Sequence, residues 1–222
     1  MKTLFITLSV ILFTNILFDK PFQIPKGTAP RLDGVFTAGE WSDALEQDLV
    51  NGGKVYLKHD TENLYVGVRG NTGKQGWAHV YVPVNEQIMI FHASAALGTA
   101  IYNKDATDVW QAQQEFTWAV RDTSFSQKAV NERQTFYEKT NWVANTCNMG
   151  EKQFLEFKIN RKYLAPKQIH IAVMFASNAK EPHFFPGTLK DDCLAEQLIY
   201  GSTPKDLKFD QSQWCNIKFS KK

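Results

Sequence analysis

Leu57–Gly70 reads LKHDTENLYVGVRG, and with Val55 and Tyr56 before it this stretch decides the fold class. Val55 to His59 and Leu64 to Arg69 alternate apolar and polar residues, the period of a strand with one buried face. Asp60, Thr61, Glu62 and Asn63 between them carry short polar side chains suited to a tight turn, so the segment predicts a β-hairpin. Val55, Leu57, Leu64, Val66 and Val68 fall on one face, and Tyr56, Lys58, Tyr65 and Arg69 on the other.

Outward from the hairpin the same period recurs. Trp77 to Val84 places Ala78, Val80, Val82 and Val84 on an apolar face opposite Trp77, His79 and Tyr81. Gln87 to Ala93 is apolar on both faces, as for a central strand. Further strands are expected at Thr99–Tyr102, Phe116–Val120, Phe154–Ile159, Ile169–Phe175 and Gln197–Tyr200, with brief helical turns at Gly39–Leu45 and Arg161–Leu164. Many short strands joined by polar connections, with no long 3.6-period segment, predict an all-β antiparallel β-sandwich.

The 222 residues suit a single domain, and 43% hydrophobic content excludes a disordered chain. With 25 Lys and Arg against 23 Asp and Glu, the charge is too balanced to expect a nucleic-acid partner. Residues 1–19 read as a signal peptide: Lys2 precedes the uncharged TLFITLSVILFTNILF of Thr3–Phe18, and Asp19 and Lys20 stop it. An uncleaved anchor is the alternative. Residues 20–222 are then one secreted or periplasmic domain, with no membrane contact once the signal is removed. Cys147, Cys193 and Cys215 allow one bridge at most, either Cys193–Cys215 across the C-terminal tail or none.

Leu32-Asp33-Gly34, Gly39-Glu40-Trp41 and LKHDTENLYVGVRG together resemble the N-terminal half of carbohydrate-binding family 9 and its DOMON-like relatives. The resemblance implies a β-sandwich, a sugar clamped between two tryptophans, and calcium in the loops. Trp77, after the Asn71–Gly76 loop, stands where the family places its first stacking residue. The Asp and Glu that usually follow read Val80 and Val82 here, and His183, Phe184 and Phe185 occupy the loop of the second tryptophan. The candidate carbohydrate site is therefore Trp77, Arg69, His79, Tyr81, Trp110, Phe184 and Phe185. Asp60 is a turn residue or a calcium ligand, and Trp41 a core anchor. Trp77, His79 and Tyr81 either form an aromatic platform with Tyr56, Tyr65 and Arg69 or lie under Leu97–Thr140. Trp110, in NKDATDVWQ, is the best further candidate for an exposed ring.

No catalytic motif is present: G-x-S-x-G and H-E-x-x-H are absent, the five histidines lack i, i+4 pairing, and Asp191-Asp192 is a bare acidic dipeptide. The expectation is a non-catalytic carbohydrate-binding protein. The resemblance also admits haem, for which Met89, His92, His170 and Met174 are candidate ligands, although Met89 and His92 are three positions apart and face opposite sides of a strand. A structural exported domain without a small ligand is the third reading.

Overall fold

The computed structural model describes residues 20–71, 73–164, 169–177, 182–187, 189 and 203–221. Along the chain run β1 (Phe22–Ile24), helix α1 (Ala38–Trp41), β2 (Leu45–Asp48), β3 (Lys54–His59), β4 (Asn63–Arg69), β5 (Trp77–Val84), β6 (Gln87–Ala93), β7 (Leu97–Lys104) and β8 (Trp110–Gln114). Helix α2 (Gln127–Thr140), β9 (Trp142–Ala144), β10 (Phe154–Asn160), β11 (Ile169–Ala176), β12 (His183–Phe185), β13 (Asp206–Leu207) and β14 (Cys215–Phe219) follow. These strands form two sheets. The larger has the order β1-β14-β11-β5-β6-β7-β8-β13, with β12 also on β11, and the smaller β2-β3-β4-β10-β9.

The hairpin forms in the register its alternation implies, Val55 opposite Val68 and Leu57 opposite Val66. Asp60 builds the turn: Oδ1 accepts from the backbone N–H groups of Glu62 and Asn63, both at 2.7 Å, and the Tyr65 hydroxyl donates to Oδ2 at 2.6 Å. The apolar face of β3 and β4 meets that of β5, β6 and β11, so Val66, Val80, Phe91, Phe157 and Val173 share one fully buried core between the sheets. This is a β-sandwich.

Both outer faces carry further apolar clusters. On the small sheet, Trp41, Tyr56, Tyr65 and Phe154 pack together. Here the LDG and GEW residues meet, because Glu156 Oε2 accepts the Gly34 N–H at 2.8 Å and Oε1 accepts Trp41 Nε1–H at 3.2 Å. Gly67 makes room for the indole, since a Cβ there would lie 3.1 Å from the Trp41 ring. Lys58 is fully buried beside Trp41 and paired with Asp43 at 2.9 Å. The residues that carry the family resemblance thus hold this face together.

Three expectations change. Phe116–Val120 makes only an isolated bridge, Leu97 to Ala119, and the turn at Gly39–Leu45 shortens to α1 because Leu45 enters β2. Helix α2 is unforeseen: Gln127–Thr140 has few apolar residues, and of these only Ala129 is buried. Ser126 caps it by accepting from the Ala129 N–H, and Asn141 ends it at φ 59°. Cys147 and Cys215 are buried, whereas Cys193, Asp191, Asp192 and Gln197–Tyr200 lie outside the described residues, as do residues 1–19. No helix among the described residues is long and apolar enough to cross a membrane.

Candidate functional site

The expected aromatic platform does not assemble. Tyr56, Tyr65 and Arg69 lie on the outer face of the small sheet, whereas Trp77, His79 and Tyr81 lie on the outer face of the large one. The chain between β4 and β5 changes sheets, so two outward faces of one sequence run end on opposite sides of the sandwich. Arg69 instead spans Glu151 at 3.5 Å and the Phe36 ring at 4.2 Å.

On the large sheet, His79 and Tyr81 are fully buried. Phe116 packs on the His79 ring at 5.8 Å, and Trp214 on Tyr81 at 6.0 Å. His79 bonds Tyr81 Oη through Nδ1 at 3.0 Å and His92 Nδ1 through Nε2 at 2.5 Å. Burial pushes the imidazoles down, His92 to about 3, so the pair is neutral at physiological pH. Trp77 and Phe184 are half-buried on this outer face, but Phe185 turns inward and is 2% exposed in the core. The segment over His79 belongs to Leu97–Thr140, while the cover over Tyr81 comes from Phe209 and Trp214, in the chain between β13 and β14.

Trp110 is not an exposed loop ring; it opens β8 and is 5% exposed. The pairing of Leu207 with Trp110 in β13–β8 brings Phe209 against it, with ring centroids 5.9 Å apart at 70°. The two rings wall a cleft of about 750 Å3 at the end of the large sheet. Three chain reversals supply the rest. The β5–β6 turn contributes Asn85, at φ 56°, and Glu86; the β7–β8 turn contributes Asp105 and Asp108; and a short 3-10 turn contributes Asp210 and Gln211.

Two of these carboxylates shape their own turns. Asp105 Oδ1 accepts from the Thr107 N–H and hydroxyl and from the Val109 N–H, at 2.7, 2.8 and 3.0 Å. Asp210 accepts from the Ser212 hydroxyl at 2.6 Å and Gln213 Nε2 at 2.7 Å. The Thr107 and Ser212 hydroxyls in particular hold these carboxyls below their ordinary range, so both are ionised acceptors at neutral pH. Glu86, Asp105, Asp108 and Asp210 face a single lysine, Lys104, which pairs with Asp108 at 2.6 Å. The cleft is therefore a half-aromatic, half-acidic receptor, suited to a ligand that presents C–H surface and hydroxyl donors.

Neither a calcium nor a haem fits the residues expected to hold it. Both Asp60 oxygens are engaged in the hairpin turn, and no three His, Cys, Asp or Glu gather at a metal position among the described residues. Met89 faces the inner core and His92 the outer face, and His170 and Met174 project from the same face of one strand, β11, with Ala172 between them, so they do not approach one iron from opposite sides.

Of the expected site residues only Trp110 reaches the cleft. Phe209, Glu86 and Asp105 went unforeseen, because nothing local links Phe209 to Trp110 across the intervening chain. Comparison with protein-family models, curated proteins and solved structures finds no match for this chain.

Proposed function

We propose that this is an exported, non-catalytic carbohydrate-binding protein whose ligand occupies the cleft between Phe209 and the acidic turns. One observation carries it: an aromatic wall, half-buried Phe209 backed by Trp110, meets ionised acceptors across an open space of about 750 Å3. That volume falls within the range of roughly 300–1,000 Å3 that small-ligand sites use. A pyranose lays its C–H face on Phe209 and donates hydroxyl protons to Glu86, Asp108 and their neighbours. The resemblance to carbohydrate-binding family 9 and the leader-like stretch Thr3–Phe18 support the same reading.

The acceptors also argue against acid catalysis. A glycosidase needs a carboxyl kept protonated as general acid. Asp105 and Asp210 are instead shifted the other way, and the buried carboxyl with a raised pKa, Glu156, lies beneath Trp41 on the outer face of the opposite sheet. The net negative lining favours neutral sugars over uronates or sulfated chains.

The test is calorimetric titration of the purified protein with neutral and acidic oligosaccharides. A neutral sugar should bind saturably, Phe209→Ala should weaken it by about 1 kcal/mol, and Trp77→Ala should leave it unchanged. A flat response to the whole panel, or equal binding by a folded Phe209→Ala variant, rejects the assignment.

A further inference from the structure

The two sheets differ in width, and a second cleft follows from that difference. The small sheet ends at β9, while the large sheet continues from β6 through β7 to β8. The inner face of β6 and β7 therefore runs past its partner layer, and α2 lies over the overhang. The helix closes it incompletely. A cleft of about 770 Å3 remains, with Met89, Ile101, Val120 and Phe136 as its apolar lining. Ile101 and Phe136 are only half-buried. Burying such surface under a ligand is favourable at about 25 cal/mol per Å2.

The helix also sets the rim. Lys128, Glu132, Thr135, Phe136 and Lys139 recur at spacings of three and four and so share one face. Within the lining two lysines face one glutamate, and among the described residues neither lysine is in an ion pair, while Lys128 acts at longer range on the Asp122 carboxylate ahead of the helix. Lys128 also lies in the first helical turn, where the unsatisfied N–H groups add positive potential. From Lys128 to Lys139 the face spans about 16 Å. The opposite wall is under backbone strain. Val120, a β-branched residue, is held at φ 53° immediately after the Leu97–Ala119 bridge, and such outliers cluster at ligand clamps.

We propose that this cleft binds a single-chain amphiphile with an anionic head. The alkyl chain lies over Met89, Ile101, Val120 and Phe136, and the head sits at the Lys128 end of α2. The two lysines select an anionic head, and the apolar lining selects the chain. The site is separate from the Trp110–Phe209 cleft and does not rest on the carbohydrate reading.

The experiment is calorimetric titration of the full-length protein with dodecanoate below its micellar concentration, with dodecyltrimethylammonium as the oppositely charged comparator. Dodecanoate should bind saturably, one per chain, and at least tenfold more tightly than the cation. Lys128→Glu should reduce its affinity at least tenfold, and Lys139→Glu should do less. Ile101→Trp should fill the cleft and abolish binding; should that variant not fold, Thr135→Trp, on the exposed helix face, does the same. No saturable uptake of dodecanoate, equal affinity for the cation, or unchanged uptake by a folded cleft-filling variant would overturn the proposal. A neutral oligosaccharide should not displace dodecanoate, so the two clefts fail or stand separately.

Discussion

Glu156 joins three separate parts of the chain through one carboxyl group. It lies on β10, it accepts from the Gly34 backbone and the Trp41 indole, and its own N–H donates to Asn145 Oδ1. Burial, with Glu40 and Asp33 adding like charge, raises its pKa to about 8. The folded state therefore holds this proton more tightly than the unfolded chain, whose value is near 4.5. Its stabilising effect is fully present below about pH 4.5 and is lost as the pH rises through 8. Between pH 7 and pH 8, above the range in which the buried neutral His79 and His92 oppose it by gaining protons on unfolding, the melting temperature of the wild-type protein should fall. In Glu156→Gln that slope should largely vanish, because the amide carbonyl still accepts from Gly34 or Trp41 and carries no charge. A thermal-melt series across this range checks it. Trp41, read from the sequence as a core anchor, owes its place to this carboxyl as much as to its apolar neighbours, and a one-dimensional pattern cannot display such a contact across 115 positions.

Among the elements, α2 owes little to its composition and much to its ends. Its outer surface is polar and its apolar residues are few, so local caps and tertiary cover hold it. Ser126 Oγ accepts from the Ala129 N–H at 3.3 Å, and the Asn141 N–H donates to the Tyr137 carbonyl at 2.7 Å from a left-handed backbone. Ser126→Ala should cost about 1 kcal/mol, measured by denaturant unfolding. Hydrophobic periodicity does not reveal this helix, because just Ala129 of its residues is buried; the local signals it carries are its caps, Ser126 and Asn141. The strands were legible for the opposite reason. Each of β3 to β5 carries an apolar face alternating with a polar or aromatic one, and a period of two survives any choice of partner. Trp110 was legible as a candidate but not in its setting, since β13 arrives from far along the chain to seat Phe209 upon it.

At the scale of the whole molecule, Trp142 ties the layers together. Its buried indole packs on Phe91 of the large sheet at 4.9 Å, on Phe136 of α2 at 5.2 Å and on Phe157 of the small sheet at 6.2 Å. Its Nε1–H donates to Thr99 Oγ1 at 2.8 Å. Trp142→Ala should therefore cost about 3–5 kcal/mol, read as a lowered denaturation midpoint with a cooperative transition retained. Because Phe136 and Thr99 also border the second cleft, the same variant should loosen the seat of α2.

The sequence by itself determined the alternation of the strands, the faces of the Val55–Arg69 hairpin, the turn chemistry of Asp60 and hence the sandwich class. Those properties are local: a strand's period and a turn's hydrogen bonds are set within a few residues. Only the tertiary structure decided which sheet each strand joins. Alternation says that Trp77, His79 and Tyr81 share a face, yet it is silent on whether that face lies beside Tyr56 and Tyr65 or on the far side of the sandwich. Assignment to the large sheet buried His79 and Tyr81 beneath Phe116 and Trp214 and so removed the expected platform. Both clefts come from that same level, one from the arrival of β13 at the sheet edge and the other from the unequal widths of two sheets packed face to face.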